Sequence, residues 1–427
     1  MKILLLGSGG REHVLAKKIL ESSLAERLFV APGNAGIAEE AECVSLDPAN
    51  ASAVLQFVKE NRIDLVAIGP EAPLVAGVSD ALIKEKVLVF GPSQKAAELE
   101  ASKAYTKNLL KQKKILTAGF ECFSDATLAK KYLVQKKYPQ VIKADGLAAG
   151  KGVIICQNEN EAFEAIHEIL ERKSLGTHQS QIVIEDFLLG EEASFMVMTD
   201  GKTVLPLATS QDHKRLHDGD CGPNTGGMGA YSPAPVVTSA VHDQTLREII
   251  FPTLQGLREQ GIEYQGVLYA GLMIENEKPS LLEYNVRFGD PECQVILPRL
   301  KSDFVELMLA TAEGRLAKQN LIWDERPCVC VVLAAAGYPG ISQKGDVIEG
   351  IEEAAKLSNV KVFHAGTTKK DGHWVTNGGR VLGVTALGDT LQQAIHQVYQ
   401  AVEKIHWKGM QYRKDIGVKG LKNYLIN

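Results

Sequence analysis

An excess of basic charge, long apolar runs, a cysteine framework and low-complexity segments are all missing from this 427-residue chain. Lysine and arginine number 47 against 52 acidic residues, a formal net charge of −5, so no broad positive field offers itself to nucleic acid or to an anionic membrane. A local basic pocket for phosphates stays open. The longest uninterrupted apolar stretch, Cys328–Ala336, has nine residues, well short of the roughly 20 that span a bilayer. Seven cysteines are an odd number without a C-x-x-C, and Cys328 and Cys330 alone stand close together. That argues against a disulfide framework and against a zinc site, and a reduced, cytoplasmic setting is expected. The run Ile3–Leu6 is ended by Gly7, too soon for a secretory signal, which needs about 7–15 apolar residues. His13, His213 and His364 have no metal-ligand or nucleophile spacing, so core or surface places are expected of them.

Ordinary globular material remains: 45% apolar and 23% charged residues in a length that suggests about three domains. From residue 1 to 102, short apolar runs alternate with helical patterns. Strands are expected at Ile3–Leu6, Leu28–Ala31, Ile63–Ile68 and Val87–Phe90, helices at Glu12–Leu20 and Ala53–Lys59. This rhythm predicts an open parallel α/β sheet with its ligands at the carboxyl ends of the strands. From 103 to 325, strands of antiparallel appearance (Val141–Ala144, Val153–Cys156, Ile182–Glu185, Ser194–Met198, Leu281–Tyr284) are separated by glycine-rich loops. Arg326-Pro327 interrupts, and a mixed α/β block follows over 326–427, from a strand at Val329–Ala336 to a helix near Thr390–His406.

Five motifs carry possible chemistry. The turn Gly7-Ser8-Gly9-Gly10-Arg11-Glu12-His13 opens a helix whose free N–H groups favour an anion. It is not the dinucleotide fingerprint, because Glu12 stands where a third glycine belongs and no acid ends the second strand. A purely structural turn is the alternative. The loop 145–152, between Lys143 and Val153, has small residues able to close over a polyphosphate, with Lys143 and Lys151 supplying charge; a plain hairpin would look similar. Glu185, Phe187 and Leu188, followed by Glu192, suit an adenine and its ribose, or equally a solvated acidic strand end. Alternation places Glu283, Asn285 and Arg287 on one strand face. A carboxylate beside an amide oxygen suits Mg2+, and a neighbouring arginine suits developing phosphoryl charge. A polar outer face accounts for the charge but not for the Gly-Asp-Pro turn that follows. Lastly, the long loop 209–229 contains Asp212, a partner for an ammonium group, and Gly226-Gly227-Met228-Gly229.

The order of these motifs resembles the ATP-grasp superfamily and, within it, the glycinamide ribonucleotide synthetase family. The resemblance rests on Gly9–His13, Ala31–Gly36, Gly69–Leu74, Lys143–Gly152, Gly222–Gly229, Arg287–Glu292 and Asn377–Arg380, and it covers essentially the whole chain. It implies a central ATP-grasp domain with a small mobile lid at about residues 120–190, and ligation of glycine to 5-phosphoribosylamine with ATP, an early step of purine synthesis. Another carboxylate–amine ligase or a biotin-carboxylase-like enzyme is the alternative. By the same resemblance, Lys103, Lys143, Gly146, Gly150, Lys151 and Gly152 would hold the ATP phosphates. Glu185 and Leu188 would read adenine and Glu192 the ribose. Mg2+ or Mn2+ would sit on Glu283 and Asn285. Arg287, Asp212 and Asp290 would be catalytic, the last two at the glycine end. Gly9, Gly10, Arg11, Glu12 and Asn34 would hold the phosphoribosyl group. Only small-molecule partners are implied, with no nucleic acid or membrane, and a monomer. The chain departs from the family at Val286 and Cys221, where cysteine and threonine are more usual. Gly271 stands where many ATP-grasp enzymes carry a further metal-binding acid.

Overall fold

The computed structural model describes residues 1–147, 152–173 and 181–424; Gly150 and Lys151 therefore lie outside the described residues. Strands β1 (Lys2–Gly7), β2 (Arg27–Pro32), β3 (Glu42–Cys43), β4 (Leu65–Ile68) and β5 (Leu88–Phe90) form one parallel sheet in the order β3-β2-β1-β4-β5. Leu4 and Leu6 pack into one apolar cluster, Ile3 and Leu5 into another. Both faces of β1 are thus covered, which is why its sequence is a continuous apolar run. Ile63 precedes the strand expected to contain it, and the two-residue edge strand β3 was too short to leave a sequence signal.

Strand order reverses between β1 and β4, so the carboxyl ends of these strands frame the crevice where such sheets take ligands. Glu12, in the first turn of the helix Gly10–Leu20, fills the root of that crevice. A Cβ on Gly69 would lie 2.2 Å from Glu12 Oε1, and one on Gly7 would lie 2.4 Å from Glu12 Cγ. Glycine at both strand ends is what lets the carboxylate in.

The next residues build two antiparallel sheets. Strands β6 (Phe120–Phe123), β7 (Gln140–Ala144), β8 (Val153–Cys156) and β9 (Ile182–Asp186) pair in the order β6-β9-β7-β8. Strands β10 (Glu191–Asp200), β11 (Val204–Pro206), β16 (Gln265–Glu275) and β17 (Lys278–Asn285) pair in the order β11-β10-β16-β17. In β17, Glu283 faces Gly271 and Leu281 faces Leu272, leaving Leu282 as an extra, bulged residue.

Strands β12 (Gln211–Asp212), β15 (Gly229–Ser232), β18 (Cys328–Ala334), β19 (Val360–His364) and β22 (Arg380–Leu387) form a third sheet in the order β12-β15-β18-β22-β19. Two of its strands precede Arg326, so the long loop 209–229 is tied into this sheet rather than lying free. Small antiparallel pairs join β13 (Arg215–His217) to β14 (Cys221–Asn224) and β20 (Thr367–Lys370) to β21 (His373–Thr376). The last long helix runs Leu391–Val402, capped by Thr390. It stops short of His406 because buried Ile405 turns into the core and the His406 backbone pairs with Glu349 instead. Among the described residues no helix is long and apolar enough to cross a membrane. All seven cysteines are free, and Cys156, Cys293, Cys328 and Cys330 are buried.

Candidate active site

One concentration of charge lies where β7, β9 and β17 meet the helix Lys103–Lys113. Ser102 caps that helix, accepting from the Tyr105 N–H at 3.0 Å, and Asp145 accepts from the Ala104 N–H at 3.1 Å. These bonds tie the start of the 145–152 loop to the helix, and Lys103 Nζ donates to the Gly146 carbonyl at 3.0 Å. Lys143 Nζ lies 2.8 Å from Glu185 Oε1 and 3.3 Å from the carbonyl of bulged Leu282. Lys107, one helical turn from Lys103, meets the other Glu185 oxygen at 2.9 Å. Burial drives Lys107 down to about 8, partly against the raising effect of Glu185.

Glu283 and Asn285 project from one face of β17. Burial alone would raise the Glu283 carboxyl, but Lys214, Lys143 and Lys103 more than offset it and hold it below its ordinary value. Lys214 Nζ bridges two acids, 3.0 Å from Glu192 and 3.7 Å from Glu283. Gly271 opposite Glu283 offers no third side chain, and among the described residues no three His, Cys, Asp or Glu side chains group to hold an ion. An ionised carboxylate and an amide oxygen nevertheless fit Mg2+, which takes oxygen ligands and completes its shell with phosphate and water.

Arg287 lies past the end of β17, pinned by Glu100 at 2.6 Å and Glu71 at 3.2 Å. Glu100 also accepts from the Val286 N–H at 2.8 Å, so the guanidinium is fixed in place. Asp212 is forced well above its ordinary pKa by burial and by nearby Glu292, in spite of Lys214. Glu292 Oε1 in turn accepts from Ser194 Oγ at 2.9 Å and Tyr269 OH at 2.5 Å. Leu188 is half-buried between exposed Phe187 and Leu189.

A cleft of about 460 Å³ opens over the carboxyl ends of the first sheet, lined by Ser8–Gly10, Gly33–Ala35, Asp290, Ala365–Thr368, Asn377 and Arg380. It draws on all three parts of the chain. Arg380 donates to the Asp290 carbonyl at 2.7 Å and lies 3.2 Å from its carboxylate. Burial would raise Asp290, and Arg380 and Arg11 bring it below its ordinary value. Gly9, Gly10 and Asn34, which the resemblance assigns to one ligand, line this cleft together. Arg11 and Glu12 do not. Arg11 Nε donates to Glu12 Oε1 at 2.7 Å and its Nη1 to the Phe288 carbonyl at 3.0 Å. Glu12 also accepts from the Gly9 N–H at 2.6 Å. With 7% and 2% of their surfaces exposed, the two side chains turn inward and support the turn. Asp290, placed at the glycine end by sequence, lines this cleft beside Gly9 and Gly10.

Sequence reasoning missed Lys107, Lys214 and Glu100, and quoted Glu71, Glu292 and Arg380 within motifs without giving them a role. The spacing of Lys103 and Lys107, four apart on one helix face, is a signal that could have found the first. The others meet the site only through long-range packing.

Comparison with known proteins agrees along the chain. The N domain of phosphoribosylglycinamide synthetase matches residues 1–100, its ATP-grasp (A) domain residues 101–293 and its C domain residues 328–419. The phosphoribosylamine–glycine ligase of Pseudomonas aeruginosa is 53% identical over 424 residues, covering 99% of this chain and 98% of its own. That of Brucella melitensis is 49% identical over 427 residues and the whole of both chains. The crystal structure of phosphoribosylamine–glycine ligase from Thermotoga maritima matches with a TM-score of 0.85 at 34% identity, over 97% of this chain and 100% of that one. The biotin carboxylase domain of the Hydrogenobacter thermophilus 2-oxoglutarate carboxylase shares the fold alone: TM-score 0.74 at 16% identity, over 96% and 91% of the two chains. With three consecutive models matched in order and about half of all residues shared with full-length relatives, this chain belongs to the phosphoribosylglycinamide synthetase family.

Proposed function

We propose that this chain is an ATP-dependent carbon–nitrogen ligase joining glycine to 5-phosphoribosylamine, with glycinamide ribonucleotide, ADP and phosphate as products, in purine biosynthesis. The observation that carries this reading is the convergence of Lys103, Lys143 and Lys214 on Glu283, a carboxylate they keep ionised against its burial. Such a site suits the outer phosphates of a nucleotide.

Lys103, Lys143 and the 145–152 segment, with Gly146, Gly150, Lys151 and Gly152, hold the phosphates. Glu185 and Leu188 take the adenine and Glu192 the ribose. Glu283 and Asn285 hold Mg2+, which when bound neutralises phosphate charge and orients the terminal phosphoryl group. Arg287, its rotamers already restricted by Glu71 and Glu100, presents fixed positive charge to the transferring group. Asp212 takes the glycine ammonium, whose charge favours the ionised carboxylate against its burial, and Asp290 with Gly9, Gly10 and Asn34 lines the side where phosphoribosylamine sits. Glycine's carboxylate oxygen attacks the terminal phosphorus, ADP leaves, and glycyl phosphate results. The amine nitrogen then attacks the acyl carbon and inorganic phosphate departs. Positioning and charge stabilisation supply the rate in such transfers. A monomer is proposed as the working unit.

An ADP-release assay tests the reading. Sustained release is expected only with ATP, Mg2+, glycine and freshly made phosphoribosylamine together. Bicarbonate-dependent release without glycine would overturn it in favour of a biotin-carboxylase-like activity.

A further inference from the structure

We propose that His13 is a positioning residue for the phosphoribosylamine cleft, acting through the backbone of His364. The proposal rests on the reading that this cleft takes phosphoribosylamine. His364 is the last residue of β19, and the four residues after it, Ala365–Thr368, form one wall of the cleft. Both backbone polar groups of His364 are gripped from the first domain. Its N–H donates to His13 Nδ1 at 2.8 Å, and its carbonyl accepts from Asn34 Nδ2 at 2.9 Å. Asn34 Nδ2 also donates to the Ser8 carbonyl at 2.8 Å, on the opposite wall. His13 and Asn34 therefore set the spacing between the glycine turn and the wall contributed from the far end of the chain.

The hydrogen bond fixes the tautomer of His13. Nδ1 faces a donor and must be bare, so the ring proton sits on Nε2, 3.3 Å from Glu40 Oε1. Burial keeps the ring below its ordinary pKa, consistent with a neutral imidazole. The wall has no slack: a Cβ on Gly36 would lie 2.3 Å from the His364 side chain, and the His364 ring centroid lies 4.4 Å from that of Trp374, the two planes tilted by 41°. A small shift of His364 is therefore passed to Ala365–Thr368 rather than absorbed.

Two substitutions separate this role from core filling. Asparagine restores an acceptor at the Nδ1 position with a smaller side chain. Glutamine comes nearer the histidine volume but carries its amide at the Nε2 position. His13→Asn is expected to keep KM for phosphoribosylamine within about threefold of wild type, and His13→Gln to raise it about tenfold, the worth of one hydrogen bond. Neither should move KM for ATP or glycine, or kcat, by more than about twofold, since one hydrogen bond at this wall touches neither. Equal behaviour of the two variants, a milder effect of His13→Gln, or losses spread evenly over all three substrates would overturn the proposal. A second measurement needs no variant: nitrogen-15 spectra of the histidine rings should show His13 as the Nε2–H tautomer, and an Nδ1–H tautomer would also overturn it. If wild type itself forms no glycinamide ribonucleotide, the functional reading fails instead.

Discussion

Replacing Glu283 by glutamine is expected to cut kcat/KM by about two orders of magnitude or more while the protein stays folded, because in the proposed scheme the lost interaction is a metal-bound charge worth several kcal/mol at the reacting phosphates. The substitution keeps the side chain's shape. Glu283 is half-buried, and Lys214, which it partners at 3.7 Å, retains Glu192 at 3.0 Å. No core contact is removed, and Lys143 likewise retains Glu185 at 2.8 Å. Turnover at saturating Mg2+, measured beside thermal unfolding, checks this. Near-normal turnover in a well-folded variant would mean that the metal is held elsewhere.

Glu12→Ala is expected to act on stability first. Its carboxylate accepts from the Gly9 N–H and from Arg11 Nε, and it fills the space between Gly7 and Gly69. Truncation strands the Arg11 guanidinium in a buried site and opens a cavity beneath the turn, and breaking a buried ion pair costs about 3–5 kcal/mol. Urea unfolding of the full chain should show the unfolding free energy reduced by that amount, with the midpoint at lower denaturant. The cleft residues Gly9 and Gly10 ride on this turn, so binding at the cleft suffers as a consequence. A shift below about 1 kcal/mol, the worth of an ordinary hydrogen bond, would show that Glu12 is dispensable to the fold.

How much of this was legible follows from where the side chains point. Strand β1 could be read because both of its faces are buried and glycine ends it at once. Strand β16 could not: eight of its eleven residues are buried, on both faces, so alternation vanishes, and Gly266 and Gly271 break the apolar run. Glu283 and Asn285 were legible because two residues of one strand share a face whatever the sheet around them. Lys214 was not, since it reaches Glu283 only when the 209–229 loop is drawn in by pairing of β15 with β18. Arg11 and Glu12 show the limit of a local motif. The resemblance puts both at the phosphoribosyl group, but the two side chains pair with each other, and the cleft is lined by the glycine backbone and by Asp290 and Arg380 from far along the chain.

The central claim is that glycine is activated as its acyl phosphate. In that route one oxygen of the glycine carboxylate must leave with the phosphate, because the amine displaces it at the acyl carbon. Glycine carrying oxygen-18 at both carboxylate positions, turned over with ATP and phosphoribosylamine, is the most direct measurement, with the released phosphate analysed by mass spectrometry. The account predicts inorganic phosphate bearing one labelled oxygen, together with ADP. Unlabelled phosphate, or AMP and pyrophosphate in place of ADP and phosphate, would contradict it.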